Sequence, residues 1–167
     1  MLGTLLGSFL TYQFQWRSIE RTQAFTRAER LRQERLDAYS AFAGVAIQYR
    51  LALMDRWHRR TEDPDGEEHR LARFESYRLR TSLIEALFRV QLVADDQRVR
   101  LAADQVVDEL RVIHKAATRE EMDARSEAAR KAVDQFVETG AVERRAVDAR
   151  VLAPGRPPRR FGSSSTE

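Results

Sequence analysis

Cysteine is missing from all 167 residues, and proline and glycine are scarce, at four and seven. The first absence excludes a disulfide framework, a thiolate metal site and a cysteine nucleophile together. The second leaves too few turn-formers for the closely spaced reversals of a β-sandwich or barrel. Lysine is nearly absent too: Lys115 and Lys131 stand against 27 arginines. Such a bias follows the base composition of the coding DNA as readily as guanidinium chemistry, so a pI near 9.7 is not by itself a nucleic-acid signature. Glycine-rich phosphate loops, a strand-turn-helix nucleophile elbow and a histidine ligand pair are also lacking. What remains is 43% hydrophobic and 33% charged, a composition that folds, in a chain about one domain long.

The ends differ from the middle. Residues 1–16, MLGTLLGSFLTYQFQW, carry no charged side chain, and Arg17 opens a charge-dense stretch. Tyr12 and Trp16, amphipathic aromatics four apart, are followed by Arg17 and Arg21, the order expected where a helix leaves a bilayer. These four residues are the predicted membrane interface, with lipid as the partner. A helix of this length reaches only ~24 Å against a ~30 Å hydrocarbon core, so a span is marginal unless translation starts further upstream. With no basic region before it and no small-residue cleavage site after it, the segment is expected to be retained rather than removed as a signal peptide. The competing reading buries residues 1–16 in the domain's own core or in the interface of a soluble homodimer. Residues 153–167, APGRPPRRFGSSSTE, hold three of the four prolines and are expected to remain an unpacked tail.

Between the ends, periodicity predicts four helices: an all-α, antiparallel up-and-down four-helix bundle with a long, overhanging first helix. The segments are a 1–16 anchor, a 17–35 Arg-rich stalk, a 36–152 bundle and a 153–167 tail. Net charge is +4 over residues 1–62, −3 over 63–152 and +2 in the tail, so the positive excess lies beside the anchor. That placement favours a cytoplasmic domain on the inner membrane face. The first seam runs Leu36, Tyr39, Ala43, Ala46, Arg50, Leu53 and Trp57. Asp63 is the expected cap of the second helix, with Pro64 at its first position. That helix carries Leu71, Phe74, Tyr77, Leu83, Ile84, Leu87, Phe88 and Leu92. Pairing about the turn should set Trp57 near Leu71 and Phe74, and Tyr39 or Phe42 near Phe88 and Leu92. An Asp of Ala94-Asp95-Asp96 starts the third helix, whose coiled-coil-like heptad seam is Val99, Ala103, Val106, Leu110, Ile113 and Ala117. Thr118-Arg119-Glu120-Glu121 has capping-box form and starts the fourth, in which Gly140 is read as a bend or early stop.

No catalytic, cofactor-binding or metal residue is predicted, and no enzymatic activity. His58 and His69 flank the first turn among acids and lack the spacing of a di-metal bundle; a transition metal held by both imidazoles across the hairpin, in a metal-binding or enzymatic bundle, is the third and least favoured reading. Asp104, Asp108 and Glu109 with Arg111 and Lys115 have the spacing of ordinary surface ion pairs. Arginines in the later helices nearly all have an acid within four positions, so no specific nucleic acid and no small-molecule substrate is expected.

The segments LGTLLGSFLTYQFQ, ERLRQERLDAYSAF and FRVQLVADD, taken together, resemble a group of small actinobacterial proteins with an N-terminal anchor, an Arg/Glu-rich stalk and a helical domain. The resemblance covers about residues 3–95. It implies a membrane-anchored cytoplasmic helical protein without an assigned activity, and transfers no functional residue. Trp16 followed by the Arg-rich stalk leads to the expectation of a non-catalytic, membrane-tethered adaptor or scaffold.

Overall fold

No proline interrupts the first 62 residues, and in the computed structural model a single helix, α1 (Gly3–Glu62), runs through them. The structure describes the backbone of residues 3–152 and the side chains of residues 26–149 apart from 28 and 148. The predicted anchor, most of the stalk and the tail therefore lie outside the described side chains.

After α1 come α2 (Glu67–Val93), α3 (Gln97–Leu110), a single 3-10 turn (Ile113–Lys115) and α4 (Arg119–Leu152). The described residues contain helices and no strand. Connections are short and locally encoded. Pro64 disfavours helical geometry in the residue before it, and residues 63–66 form a turn closed by the Gly66 amide donating to the Asp63 carbonyl at 3.2 Å. The cap of α2 is Gly66, not Asp63, because that turn occupies the positions the second helix was expected to begin on. Glu67 and Glu68 then place negative charge at the positive end of α2, and Glu68 pairs with Arg59 across the turn at 2.5 Å.

The other two starts follow the expectation. The Asp96 carboxylate accepts from the Arg98 amide at 2.8 Å and caps α3. Thr118 Oγ1 accepts from the Glu121 amide at 3.2 Å, while the Glu121 carboxylate reaches back to the Ala117 amide at 2.7 Å. Thr118→Ala should lower stability by about 1 kcal/mol, read as a fall in the thermal midpoint, because the Glu121 amide loses its acceptor.

The core is one cluster. The seam of α1 is as expected at Ala43, Ala46, Leu53 and Trp57, joined by Phe42 and Tyr49. Five of six α3 seam positions are buried, and Ala116 replaces Ala117 because α3 ends at Leu110 and the chain tightens into the 3-10 turn. From α4 come Met122, Ala129, Ala132, Val133 and Phe136.

On α2 the expectation holds for Leu83 and Leu87 and fails for the aromatic residues. Its buried face is Ala72, Ser76, Leu79, Leu83, Leu87 and Val90, while Leu71, Phe74, Tyr77, Phe88 and Leu92 are exposed. Among the described residues no ring-to-ring contact joins α1 to α2. Instead Phe42 and Tyr39 meet Phe136 of α4 edge-on, with centroids 4.9 and 5.8 Å apart, and the Trp57 indole donates to the Ala116 carbonyl at 2.8 Å. The helix carries two apolar stripes on nearly opposite sides, and only the aliphatic one fits a core already filled by rings from α1 and α4.

Gly140 also has a different role. Helix α4 continues through it, and a Cβ there would lie 3.0 Å from Tyr39 Cδ2. The glycine lets the Tyr39 ring approach the α4 backbone closely rather than ending the helix.

Candidate interaction surface

Three features distinguish the surface of the bundle from an ordinary solvated one. The first is the outer stripe of α2. Phe74 is 72% exposed, Phe88 57% and Leu92 86%, and Leu71 and Tyr77 extend the patch along the same side. Three- and four-residue steps put these side chains on one face of α2, roughly opposite Leu79, Leu83 and Leu87. Single exposed apolar residues are unremarkable, but a row of five on one helix is a concentrated apolar surface of the kind that partners bind. The Tyr77 ring is flanked by the guanidinium groups of Arg56 and Arg73, 5.4 and 5.6 Å from its centroid.

The second feature is a buried polar node where α1, α4 and the loop before α3 meet. The Glu143 carboxylate, buried, accepts from Tyr39 Oη at 2.6 Å and from the amides of Asp95 and Asp96 at 3.1 and 2.9 Å. Beside it Arg35 donates to the Val93 carbonyl at 2.9 Å and pairs with Asp95. Burial foremost, then the hydrogen bond to Glu143, raises the Tyr39 hydroxyl pKa well above its ordinary value. The node caps the start of α3 from a distant helix and fastens the loop to α4.

The third is a cationic cluster around His114 in the 3-10 turn. Burial foremost, with Arg56, Lys115, Arg60 and Arg80 nearby, pushes the imidazole down to about 4. Its Nδ1 is buried and lacks a hydrogen-bond partner among the described residues. Arg60 and Trp57 both donate to the Ala116 carbonyl, at 3.0 and 2.8 Å, and so tie the turn to the end of α1.

The His114 shift has a testable consequence. The folded value lies below the unfolded one of 6.5, so the unfolded chain binds the extra proton between them. The stabilising contribution is complete above about pH 6.5 and is lost as pH falls towards 4. Discounted for the partial exposure of the ring, the loss is about 1–2 kcal/mol. Denaturant midpoints of wild type and His114→Gln measured across that window should converge towards the acid end; parallel curves would refute the assignment.

Among the expected site residues, Tyr12, Trp16, Arg17 and Arg21 lie outside the described side chains. No helix of the described residues is long and apolar enough to cross a membrane. His58 stacks edge-on against Trp57, and His69 Nδ1 is bonded to the Pro64 carbonyl at 2.6 Å. No cluster of three or more metal-ligating side chains occurs among the described residues. In the α3 charge array, Asp108 pairs with Arg111 at 3.0 Å and Asp104 accepts from Gln91 at 3.0 Å. Sequence reasoning missed Glu143, because one acid in a charged helix looks like its neighbours. The available signal was its three-residue spacing from the buried Gly140 and seven-residue spacing from Phe136.

No curated protein and no solved structure matches the chain. A family model described as KilB plasmid transfer protein matches residues 36–147, from the first seam residue of α1 to near the end of α4. That span is well over half of the sequence and takes in the whole buried core, the Glu143 node and the outer stripe of α2, so the chain belongs to the KilB plasmid transfer protein family.

Proposed function

We propose that this protein is a non-catalytic helical adaptor of plasmid transfer, tethered to the inner membrane face through residues 1–16 and presenting its bundle in the cytoplasm. The observation that carries the reading is the outer stripe of α2, an apolar docking surface on a helix whose other side is already buried in the core. Tyr12, Trp16, Arg17 and Arg21 are the proposed lipid-interface residues, in the order that a bilayer edge favours.

The helices are proposed to run up and down, each antiparallel to the one before. Support comes from contacts that pair the end of α1 with the start of α2 and its middle with the end of α2: Arg59 with Glu68, Arg56 with Ser76 and Arg35 with Val93. Short connections favour the same order.

Two experiments test the reading. Phe74→Glu with Phe88→Glu should leave the circular dichroism of the helices unchanged and sharply reduce plasmid transfer in a mating assay. Undiminished transfer with normal protein levels would overturn the docking role. For the tether, the full chain should stay with membranes through high-salt and carbonate washes, and its recovery in the supernatant would overturn that part.

A further inference from the structure

We propose that the outer face of α2 binds the same face of a second copy of this chain, the two helices crossing antiparallel about a two-fold axis near Thr81. The inference rests on the docking reading above and names its occupant.

Three observations carry it. The exposed residues Phe74, Tyr77, Thr81 and Phe88, with the half-buried Ile84 at the edge of the stripe, follow heptad-like steps, the spacing that one helix needs to seat against another. The pattern is also nearly palindromic. Leu71 and Leu92, Phe74 and Phe88, and Arg78 and Glu85 each stand at almost equal distances either side of position 81. Such symmetry suits a two-fold contact, in which whatever one copy offers at a position must complement what the other offers at its mirror position.

Charge makes the third point. Arg78 and Glu85 lie on one flank of the stripe, seven residues apart, so antiparallel pairing sets Arg78 of each copy beside Glu85 of the other, twice in the interface. Within one chain Arg78 is held by Glu75 at 2.6 Å, whereas Glu85 is exposed and makes no ion pair among the described residues. A parallel pairing would instead leave the two copies' Arg78 and Glu85 on opposite sides of the seam, where they could not meet. The five exposed side chains offer about 600 Å² per copy, or roughly 1,200 Å² when two faces meet, which reaches the range of specific interfaces.

The absence of cysteine supplies a direct probe, because a single introduced thiol is the only one in the chain. In the full chain, purified in mild detergent, Thr81→Cys should oxidise to a disulfide-linked dimer. Gln105→Cys, exposed on α3 away from the stripe, should remain a free thiol. Sedimentation should give a dimer for wild type. Arg78→Glu should raise its dissociation constant several-fold, and adding Glu85→Arg should restore it.

A monomeric wild-type chain, a Thr81→Cys thiol that does not cross-link, or a dimer indifferent to the charge at Arg78 would each overturn the self-pairing. The mating assay separates the two ideas. A monomer whose Phe74→Glu/Phe88→Glu variant still loses transfer refutes self-pairing and leaves docking standing, whereas a dimer whose variant transfers normally supports self-pairing and removes its link to transfer.

Discussion

Phe136→Ala is expected to cost about 3–5 kcal/mol and to unfold much of the population near physiological temperature, because a fully buried ring is replaced by a cavity. Phe136 is the ring on which both Phe42 and Tyr39 of α1 pack, so its loss removes aromatic contacts as well as transferred area. Phe88→Ala, which sequence periodicity alone would rank as equally severe, should change monomer stability by about 0.5 kcal/mol or less. Melts of the two variants at protein concentrations low enough to suppress self-association give the comparison directly. Equal losses would mean that the outer stripe of α2 packs inside the fold.

Glu143→Ala should be the most damaging change of a charged residue, at about 2–4 kcal/mol. It deprives the amides of Asp95 and Asp96 and the hydroxyl of Tyr39 of one shared acceptor and opens a gap beside Gly140. Glu143→Gln should cost less, since its carbonyl oxygen can still accept from the two amides and its amino group can donate to the Tyr39 oxygen. Hydrogen exchange at the start of α3 distinguishes this explanation from a general loss of packing. The Asp95 and Asp96 amides should lose protection in Glu143→Ala before the middle of α4 does, and uniform loss of protection would show that the carboxylate does not fasten the loop.

The inward face of α2 is misread from sequence for a reason other than the one that hides Glu143. Periodicity reports that a helix has an apolar side but does not rank two such sides when the helix carries both, as α2 does with Leu79, Leu83 and Leu87 opposite Phe74 and Phe88. Ring size argued for the wrong one. A core has fixed volume, and once Phe42, Tyr49, Trp57 and Phe136 occupy it, aliphatic residues fit where further rings do not.

The amino-acid sequence by itself determined what short-range physics controls. Scarce glycine and proline with sustained 3.6-residue periodicity made the described chain helical, Pro64 and Gly66 ended the first helix, and Asp96 and Thr118 began later ones through hydrogen bonds spanning two or three residues. The seams of α1 and α3 were legible because their apolar residues at three- and four-residue steps are largely the ones that are buried. Tertiary structure alone decided which side of α2 faces inward, that Gly140 admits the Tyr39 ring, and that Glu143 serves a loop 47 and 48 residues away in the chain. Those outcomes depend on competition among distant side chains for one enclosed volume and a few buried hydrogen bonds, and no local pattern encodes the result of that competition.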